Sequence, residues 1–255
     1  MFSELSKPLV IGHRGASSYA PENTLASFDL AVRQGADGIE LDAKLCADGN
    51  VVVIHDQTVD RTTSGSGNVI DMTLEELQEL DAGSHFDVTF KGEKIPTLDQ
   101  VFESVGNETL INVDLTNYYS PFDSLPIKVA EIVNRHNLSR KVLFSSFNPI
   151  SLRRINRLIP EAPIGLIALS GKKGKLMLGL VGRLIVSYQS IHPEVSSVNI
   201  KLLNRVHQLG RYMYVYTVNK AHDMERLFSI GVDGIFTDDP LLAIEVRGRI
   251  KQEKL

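Results

Sequence analysis

Short apolar runs rich in β-branched residues alternate with amphipathic stretches along the whole chain. Strands are predicted at nine of these runs, in the order LVIGH, GIELDAKL, VVVIH, LINVDLT, VLFSSF, IGLIAL, SIHPEV, YMYVYTV and GIFTD. The helical spacing of apolar residues predicts helices at PENTLASFDLAVRQG, TLDQVFESV, PIKVAEIVNRHN, NPISLRRINRLI, NIKLLNRVHQLG and KAHDMERLFSIG. Strands that alternate with helices are typical of βα units around a parallel sheet.

The number of barrel strands is expected to be close to eight, because GIELDAKL and VVVIH are near enough in sequence to form the two arms of one hairpin. About 250 residues is the typical size of an eight-stranded β/α barrel, and this chain has 255. No linker rich in Pro, Gly or Ser divides it. The pattern therefore predicts an α/β fold, a TIM-type (β/α)8 barrel that forms one domain over residues 1–255.

One region, about 57–94, departs from the alternation of strands and helices. It contains RTTSGSGNV and one short helical segment, TLEELQEL, and it is too long for an ordinary βα loop. We expect a small insertion after the second strand region. Its place is the carboxyl-terminal face of the barrel, where loops carry function.

The amino-acid composition argues against nucleic-acid binding, a disulfide framework and a thiolate metal site. The chain has 27 Lys and Arg against 31 Asp and Glu, so it lacks the positive excess of a nucleic-acid-binding protein and no nucleic-acid partner is expected. Its single Cys46 excludes an intrachain disulfide and leaves no second cysteine for a thiolate metal site. The N-terminus lacks a signal-like apolar core, and no apolar run reaches about 18 residues, so a cytoplasmic location is expected.

A basic and then apolar segment, KKGKLMLGLVGRLIV at 172–186, has two interpretations. The favoured one is core packing preceded by a solvated loop. The alternative is contact with a lipid surface.

Three acidic residues fall on two predicted strands. Glu40 and Asp42 are two residues apart in GIELDAKL, so both side chains point to the same side of the sheet. Two adjacent carboxylates repel each other unless a cation or a shared proton relieves them. Lys44 continues that face and offers a purely structural neutralisation. Asp114 in LINVDLT would complete a set of three carboxylates, which favours a hard divalent cation, Mg²⁺, Ca²⁺ or Mn²⁺.

Two histidines stand at predicted strand ends. His13 is followed by Arg14, and His55 by Asp56. In a barrel, residues at the carboxyl ends of strands converge on one site. A histidine pair can supply one base and one acid near neutral pH, and Arg14 suits bidentate contact with a phosphate. His192 in IHPE is expected near the barrel mouth without an assigned role, whereas surface or capping roles are expected for His85, His136, His207 and His222.

Together these residues resemble the glycerophosphodiester phosphodiesterase family. The matching motifs run in the family's order over nearly the whole chain, as HRG (13–15), PENT (21–24), GIELDAKL (38–45), HD (55–56), DRTTSGSG (60–67), IPTLDQVF (95–102), SSF (145–147), TVN (217–219) and GVDGIFTDDP (231–240). The resemblance implies a β/α barrel with a small insertion after the HD strand. It also implies a metal-dependent phosphodiesterase that hydrolyses small-molecule glycerophosphodiesters to an alcohol and sn-glycerol 3-phosphate.

The resemblance also implies roles for individual residues. His13 and His55 would be the acid/base pair, and Glu40 and Asp42 would be metal ligands. Arg14 would contact the phosphate, with Glu22 of PENT as a supporting active-site residue. A competing interpretation places Glu22 in the first turn of a helix, where an acidic residue favours the helix dipole.

Three positions depart from the family's usual pattern. The family shows a Glu and, two residues later, a Lys on the strand that carries Asp114 and Thr116 here, and a Trp at the position of Tyr216. Two alternatives to the proposed activity stay open. One is a lysophospholipase D-type lipid phosphodiesterase, suggested by the apolar part of 172–186. The other is a non-catalytic phosphate-binding barrel, which the presence of both His13 and His55 disfavours.

Overall fold

Eight parallel strands close into a barrel in the computed structural model, which describes residues 8–168 and 186–253. The strands of the described chain are β1 (Leu9–His13), β2 (Gly38–Leu45), β3 (Val51–Val53), β4 (Leu110–Leu115), β5 (Val142–Ser146), β6 (Ile164–Ala168), β7 (Ser190–Pro193), β8 (Tyr212–Val215) and β9 (Gly234–Thr237). All except β3 belong to the barrel, and β1 closes it by pairing with both β2 and β9. The predicted TIM-type barrel is confirmed.

Helices follow the barrel strands around the outside. They are α1 (Leu25–Arg33), α3 (Leu98–Val105), α4 (Leu125–Arg135), α5 (Pro149–Leu158), α6 (Ile200–Gln208), α7 (Ala221–Ile230) and α8 (Pro240–Glu253), while a further helix, α2 (Leu74–Glu79), lies in the insertion. Every predicted helix is present. The sequence interpretation did not include α8, although a proline at the first helical position is a common start signal.

The inside of the barrel is divided into an apolar and a polar half. Side chains on alternate positions of a strand point inward, and those nearest the amino ends form a buried apolar cluster of Leu9, Ile11, Leu110, Leu143, Tyr214 and Phe236. Further along the same strands the inward positions are polar. On β2 and β4 the pairing register sets Asp42 beside Asp114. The polar half therefore opens at the carboxyl ends of the strands.

The predicted hairpin and insertion are also confirmed. Strand β3 pairs antiparallel with β2, with Ala43 opposite Val53. The insertion that follows contains α2 and two short 3₁₀ turns, Val69–Asp71 and Val88–Phe90. It has a small core of its own, formed by Cys46, Val52, Ile54, Val59, Val69, Leu77, Ala82 and Ile95.

No helix in the described ranges is both long and apolar enough to cross a membrane. The segment 172–186, except for its last residue, lies outside the described residues. Its two interpretations, and the predicted cytoplasmic location, stay predictions.

Gly15 fixes the turn between β1 and α1. Its φ is +86°, and a Cβ at this position would lie 2.6 Å from the carbonyl carbon of Ser27. Gly35 has nearly the same φ, +85°, but a Cβ there would meet nothing within 4 Å. We expect Gly35→Ala to lower the free energy of unfolding by about 1 to 2 kcal/mol, because alanine is strained in the left-handed backbone conformation. Gly15→Ala should cost a further amount of about 1 to 3 kcal/mol, because the backbone of Ser27 must move.

Urea unfolding of both variants measures this difference. Equal shifts of the two midpoints would show that the contact with Ser27 is not the reason for glycine at position 15.

Candidate active site

A pocket of about 210 Å³ opens at the carboxyl ends of the barrel strands. Six of the seven residues that the sequence suggested for the site line it, namely His13, Arg14, Glu40, Asp42, His55 and Asp114. The seventh, Glu22, does not line this pocket but contacts Arg14 beside it. The fold therefore brings together residues that are up to 101 positions apart in the chain, from His13 to Asp114.

His13 is the last residue of β1 and is held by a carboxylate from the neighbouring strand end. Its Nδ1 lies 2.7 Å from Oδ1 of Asp238, the residue after β9. Burial favours the neutral form of Asp238, but its interactions with His13, Asn219 and Ser17 together outweigh burial and lower the pKa of Asp238. The ionised carboxylate can only accept, so Nδ1 of His13 donates and Nε2 is left for the pocket. The sequence interpretation did not identify this partner, although Asp238 lies in the GVDGIFTDDP motif.

His55 reaches the pocket by a different route from the one predicted. It was expected at the carboxyl end of a barrel strand, but β3 is antiparallel to β2 and lies outside the barrel. Because the hairpin runs back toward the mouth, Ile54 N donates to the carbonyl oxygen of Asp42 at 3.0 Å. His55 Nδ1 then lies 2.6 Å from Asp56 Oδ1. Both histidines thus have a carboxylate at Nδ1.

Three buried carboxylates form the floor of the pocket. Glu40, Asp42 and Asp114 each place one oxygen within 4.8 Å of the others. Burial and the charge of Asp42 raise the pKa values of Glu40 and Asp114 well above their usual range. Tyr118 donates to Asp114 Oδ2 at 2.7 Å, while the buried Oδ1 has no hydrogen-bond partner in the described chain. This oxygen-only donor set, with an unsatisfied acceptor, fits a hard divalent cation.

Arg14 binds two of these carboxylates and Glu22. It has a φ of +58°. Its backbone N donates to Glu40 Oε2 at 2.9 Å, and Nη1 donates to Glu22 Oε1 at 2.8 Å. Its Nε is 3.2 Å from Asp42 Oδ2. Burial opposes the charged form, but Asp42, Glu22 and Glu40 outweigh it and raise the pKa of Arg14.

Glu22 does not act as a helix-dipole residue. The predicted helix began at Pro21, but α1 begins at Leu25 with Thr24 as its N-cap. Glu22 lies in the preceding turn, and its carboxylate faces Arg14 and Arg61. Although burial favours the protonated form, these two cations lower its pKa to about 2. The helix-dipole interpretation was therefore wrong.

Arg61, in the insertion, is a residue that the sequence interpretation did not single out. Its Nε donates to Asp56 Oδ2 at 2.6 Å, while Nη1 and Nη2 donate to Glu22 at 2.6 Å and 2.9 Å. The hydrogen bond from Arg61 is the main cause that lowers the pKa of Asp56 to about 2. Arg61 therefore links the insertion to His55 through Asp56 and to Arg14 through Glu22. The only sequence signal for it was its place in DRTTSGSG.

Replacing Arg61 by Met should lower kcat by up to about 100-fold without unfolding the protein, because Asp56 and Glu22 lose the contact that positions His55 and Arg14. Arg33→Met is the control. Arg33 also makes an ion pair, with Asp29, but lies on the outside of α1. Steady-state kinetics and melting temperatures of both variants distinguish a positioning role in the site from an ordinary ion pair on the surface. Equal activity of the two variants would contradict a positioning role for Arg61.

Lys44 and the five histidines outside the proposed acid/base pair have different surroundings. Lys44 does not pair with a carboxylate of the described chain but donates to Thr116 Oγ1 at 3.0 Å. His192 lines the pocket, and burial lowers its pKa to about 3. His85 and His222 are exposed. His136 binds Asp99, and His207 binds Asp233.

The fold and the site together define a barrel enzyme whose pocket can hold a divalent cation beside two carboxylate-bound histidines. The chain belongs to the glycerophosphoryl diester phosphodiesterase family, whose sequence profile matches residues 13–242. The predicted family and the predicted enzyme class, a phosphoric diester hydrolase, are confirmed.

Individual relatives cover nearly the whole chain. A glycerophosphodiester phosphodiesterase of Caldanaerobacter subterraneus is 42% identical over 235 residues, covering 92% of this chain and 95% of the relative. One from Bacillus subtilis is 33% identical over 261 residues, covering 94% and 86%. The structure of an Oleispira antarctica phosphodiesterase in complex with the product sn-glycerol-3-phosphate has a TM-score of 0.83 at 30% identity, covering 94% of this chain and 96% of that one.

Proposed function

We propose that this chain hydrolyses glycerophosphodiesters to an alcohol and sn-glycerol 3-phosphate with the help of a divalent cation. The observation that carries the proposal is the convergence of two carboxylate-bound histidines, Arg14 and three buried carboxylates on one pocket. The Oleispira antarctica phosphodiesterase, which is similar over 94% of this chain, was solved with sn-glycerol-3-phosphate. That product supports the choice of substrate class.

Glu40, Asp42 and Asp114 would hold the cation. The closeness of their oxygens and the unsatisfied Oδ1 of Asp114 support this assignment. Mg²⁺ and Ca²⁺ are the favoured ions, and Mn²⁺ shares their preference for oxygen ligands. A bound divalent cation polarises a phosphoryl oxygen and lowers the pKa of an attacking oxygen nucleophile. Asp114 is one methylene shorter than the Glu of the family pattern, but its place opposite Asp42 in the sheet keeps it within reach.

The two histidines would move the protons. Asp238 and Asp56 fix the Nδ1 atoms of His13 and His55, so each ring presents Nε2 for proton transfer. One histidine would take the proton of the attacking oxygen as this oxygen forms its bond to phosphorus. The bond from phosphorus to the alcohol oxygen breaks, and the other histidine protonates the departing alcohol.

Arg14 would bind the phosphate. Glu22 accepts a hydrogen bond from Nη1, Asp42 forms an ion pair with the guanidinium near Nε, and no side chain of the described chain accepts from Nη2. The two N–H groups of Arg14 Nη2 are therefore available to a phosphate oxygen. Because Arg14 is fixed before substrate binds, little side-chain entropy is lost on contact.

The test is release of glycerol 3-phosphate from glycerophosphocholine and glycerophosphoethanolamine by the purified protein, after treatment with EDTA and after restoring Mg²⁺ or Ca²⁺. We expect turnover that EDTA removes and a divalent cation restores. No turnover with any cation would refute the proposal and leave a non-catalytic phosphate-binding barrel.

A second candidate function is favoured by exposed apolar side chains around the barrel mouth. Val88 in the insertion is 74% exposed, and Tyr119 and Phe122 in the loop after β4 are 89% and 78% exposed. Such residues suit contact with a lipid surface, as a lysophospholipase D-type phosphodiesterase would need. Flotation with phosphatidylcholine vesicles and hydrolysis of lysophosphatidylcholine test this candidate. Protein that stays in solution and leaves the lysolipid intact would exclude it.

A further inference from the structure

A second cavity, of about 120 Å³, lies next to the catalytic pocket. It is bounded by the start of the insertion, with Gln57 and Ile70, and by the loop after β4, with Tyr118 and Tyr119. Tyr118 lines both cavities. Lys44 and Thr116, from the ends of β2 and β4, line the second cavity only.

Lys44 is a buried cation that lines this cavity and has no counter-ion in direct contact among the described residues. Lys44 is only 7% exposed. The single hydrogen bond of Nζ in the described chain goes to Thr116 Oγ1, at 3.0 Å. The Thr116 hydroxyl itself donates to the carbonyl of Ala43 at 2.8 Å, so it offers Lys44 a neutral acceptor. An ammonium group has three donors, and a buried charge without a paired anion is costly.

No carboxylate of the described chain forms an ion pair with Lys44, although Asp42, Asp114 and Asp56 act on its charge from a greater distance. Asp42 and Asp114 line the catalytic pocket. Asp123, the carboxylate that lines the second cavity, accepts from Asn117 Nδ2 at 2.7 Å and from Leu125 N at 3.0 Å. Those two bonds hold the loop after β4 and use the oxygen Oδ1 of Asp123. The free donors of Lys44 are therefore open to an anion brought by a ligand.

We propose that the second cavity binds the alcohol part of the substrate and that Lys44 pairs there with an anionic group, a carboxylate or a phosphate. This inference rests on the proposed function. Lys44 is two residues beyond Asp42 on the same face of β2, which corresponds to about 7 Å along the strand. A diester whose phosphate lies between His13 and His55 can therefore extend past Tyr118 and present a charged head group to Lys44.

The experiment compares kcat/KM for substrates whose head groups differ in charge. Glycerophosphoserine supplies a carboxylate, glycerophosphoinositol 4-phosphate supplies a phosphate, and glycerophosphoethanolamine and glycerophosphocholine supply neither. In Lys44→Met we expect kcat/KM to fall at least about tenfold for the substrates whose anion Lys44 binds, because a charge-assisted hydrogen bond is lost. The two substrates without an anion should change little. Whichever anionic substrate loses more identifies the source of the anion.

A second variant covers the case in which Lys44→Met does not fold. Gln57 is an exposed residue at the edge of the cavity, and Gln57→Glu adds a repelling carboxylate without disturbing the core. It should lower kcat/KM selectively for the anionic substrates. Thr116→Val is the matched control, because it removes the neutral partner of Lys44 but keeps the cation, so the preference for anionic head groups should remain.

Two outcomes would overturn the inference, and they differ from a failure of the proposed function. Equal losses on all four substrates in Lys44→Met would show that Lys44 only supports the catalytic pocket. An unchanged head-group preference in Gln57→Glu would show that the cavity is not in contact with the alcohol. If the wild type turns over none of the substrates, the proposed function fails and this inference fails with it.

Discussion

Replacing His13 by Gln should lower kcat by about 10² to 10⁴-fold, because general acid–base transfer by one positioned side chain contributes an effect of that size. Gln can retain a hydrogen bond to Asp238, which lies 2.7 Å from His13 Nδ1, but it cannot exchange a proton. The pocket and its carboxylates should stay intact, so the cation should still bind. The measurement is steady-state kcat with glycerophosphocholine together with cation affinity by calorimetry.

His222→Gln serves as the matched control, since His222 is 73% exposed near the start of α7. It should keep wild-type kcat. If His13 and His55 act as one acid/base unit, the double variant His13→Gln, His55→Gln should be hardly slower than either single variant. Near-normal turnover by His13→Gln would rule out His13 as an acid or base.

Replacing Asp114 by Asn should remove most of the cation-dependent activity. Even groups that only orient metal ligands contribute about 10 to 100-fold to metal affinity, so loss of a ligand should weaken binding by at least about 100-fold. The Asn side chain keeps the size of Asp114 but loses its negative charge. Asp42, on the neighbouring strand, then no longer has a second carboxylate beside it to share the cation. Calorimetric titration with Mg²⁺ and Ca²⁺ measures the affinity, and unchanged affinity would exclude Asp114 as a ligand.

The pH dependence of cation binding provides an independent check. Burial and Asp42 raise the pKa of Asp114 in the metal-free protein, so above the pKa of the unfolded chain the folded state keeps a proton that the unfolded chain has released. Stability of the metal-free protein therefore falls as the pH rises above the unfolded pKa of about 4. A cation must displace that proton, so its stabilising effect should grow with pH.

The corresponding measurement is the melting temperature with and without Ca²⁺ or Mg²⁺ at several pH values between about 5 and 8. We expect the difference to increase with pH in the wild type and to be nearly flat in Asp114→Asn. A difference in the wild type that does not change with pH would contradict bound protons at the carboxylate cluster.

The elements that the sequence interpretation identified were those with a clear hydrophobic period. Strands such as β2 and β4 are buried along their whole length, and a short apolar run with β-branched residues indicates such a strand directly. Helix α8 was missed because its apolar and charged residues do not separate onto two faces. The start of α1 was placed four residues early, since the turn through Glu22 and Asn23 uses a left-handed backbone at Asn23 that no periodicity reveals.

The sequence by itself determined the barrel and the acidic residues, Arg14 and the two catalytic histidine candidates of its pocket, because alternate positions on a strand share one face and parallel strands end at one rim. Only the tertiary structure decided how these residues are held. His13 meets Asp238, 225 positions away, because β1 closes the barrel against β9. His55 reaches the pocket because β3 runs antiparallel to β2, and Arg61 contacts Asp56 and Glu22 from the insertion. These contacts depend on ring closure and strand register, which are set by packing across the whole barrel and not by spacing along the chain.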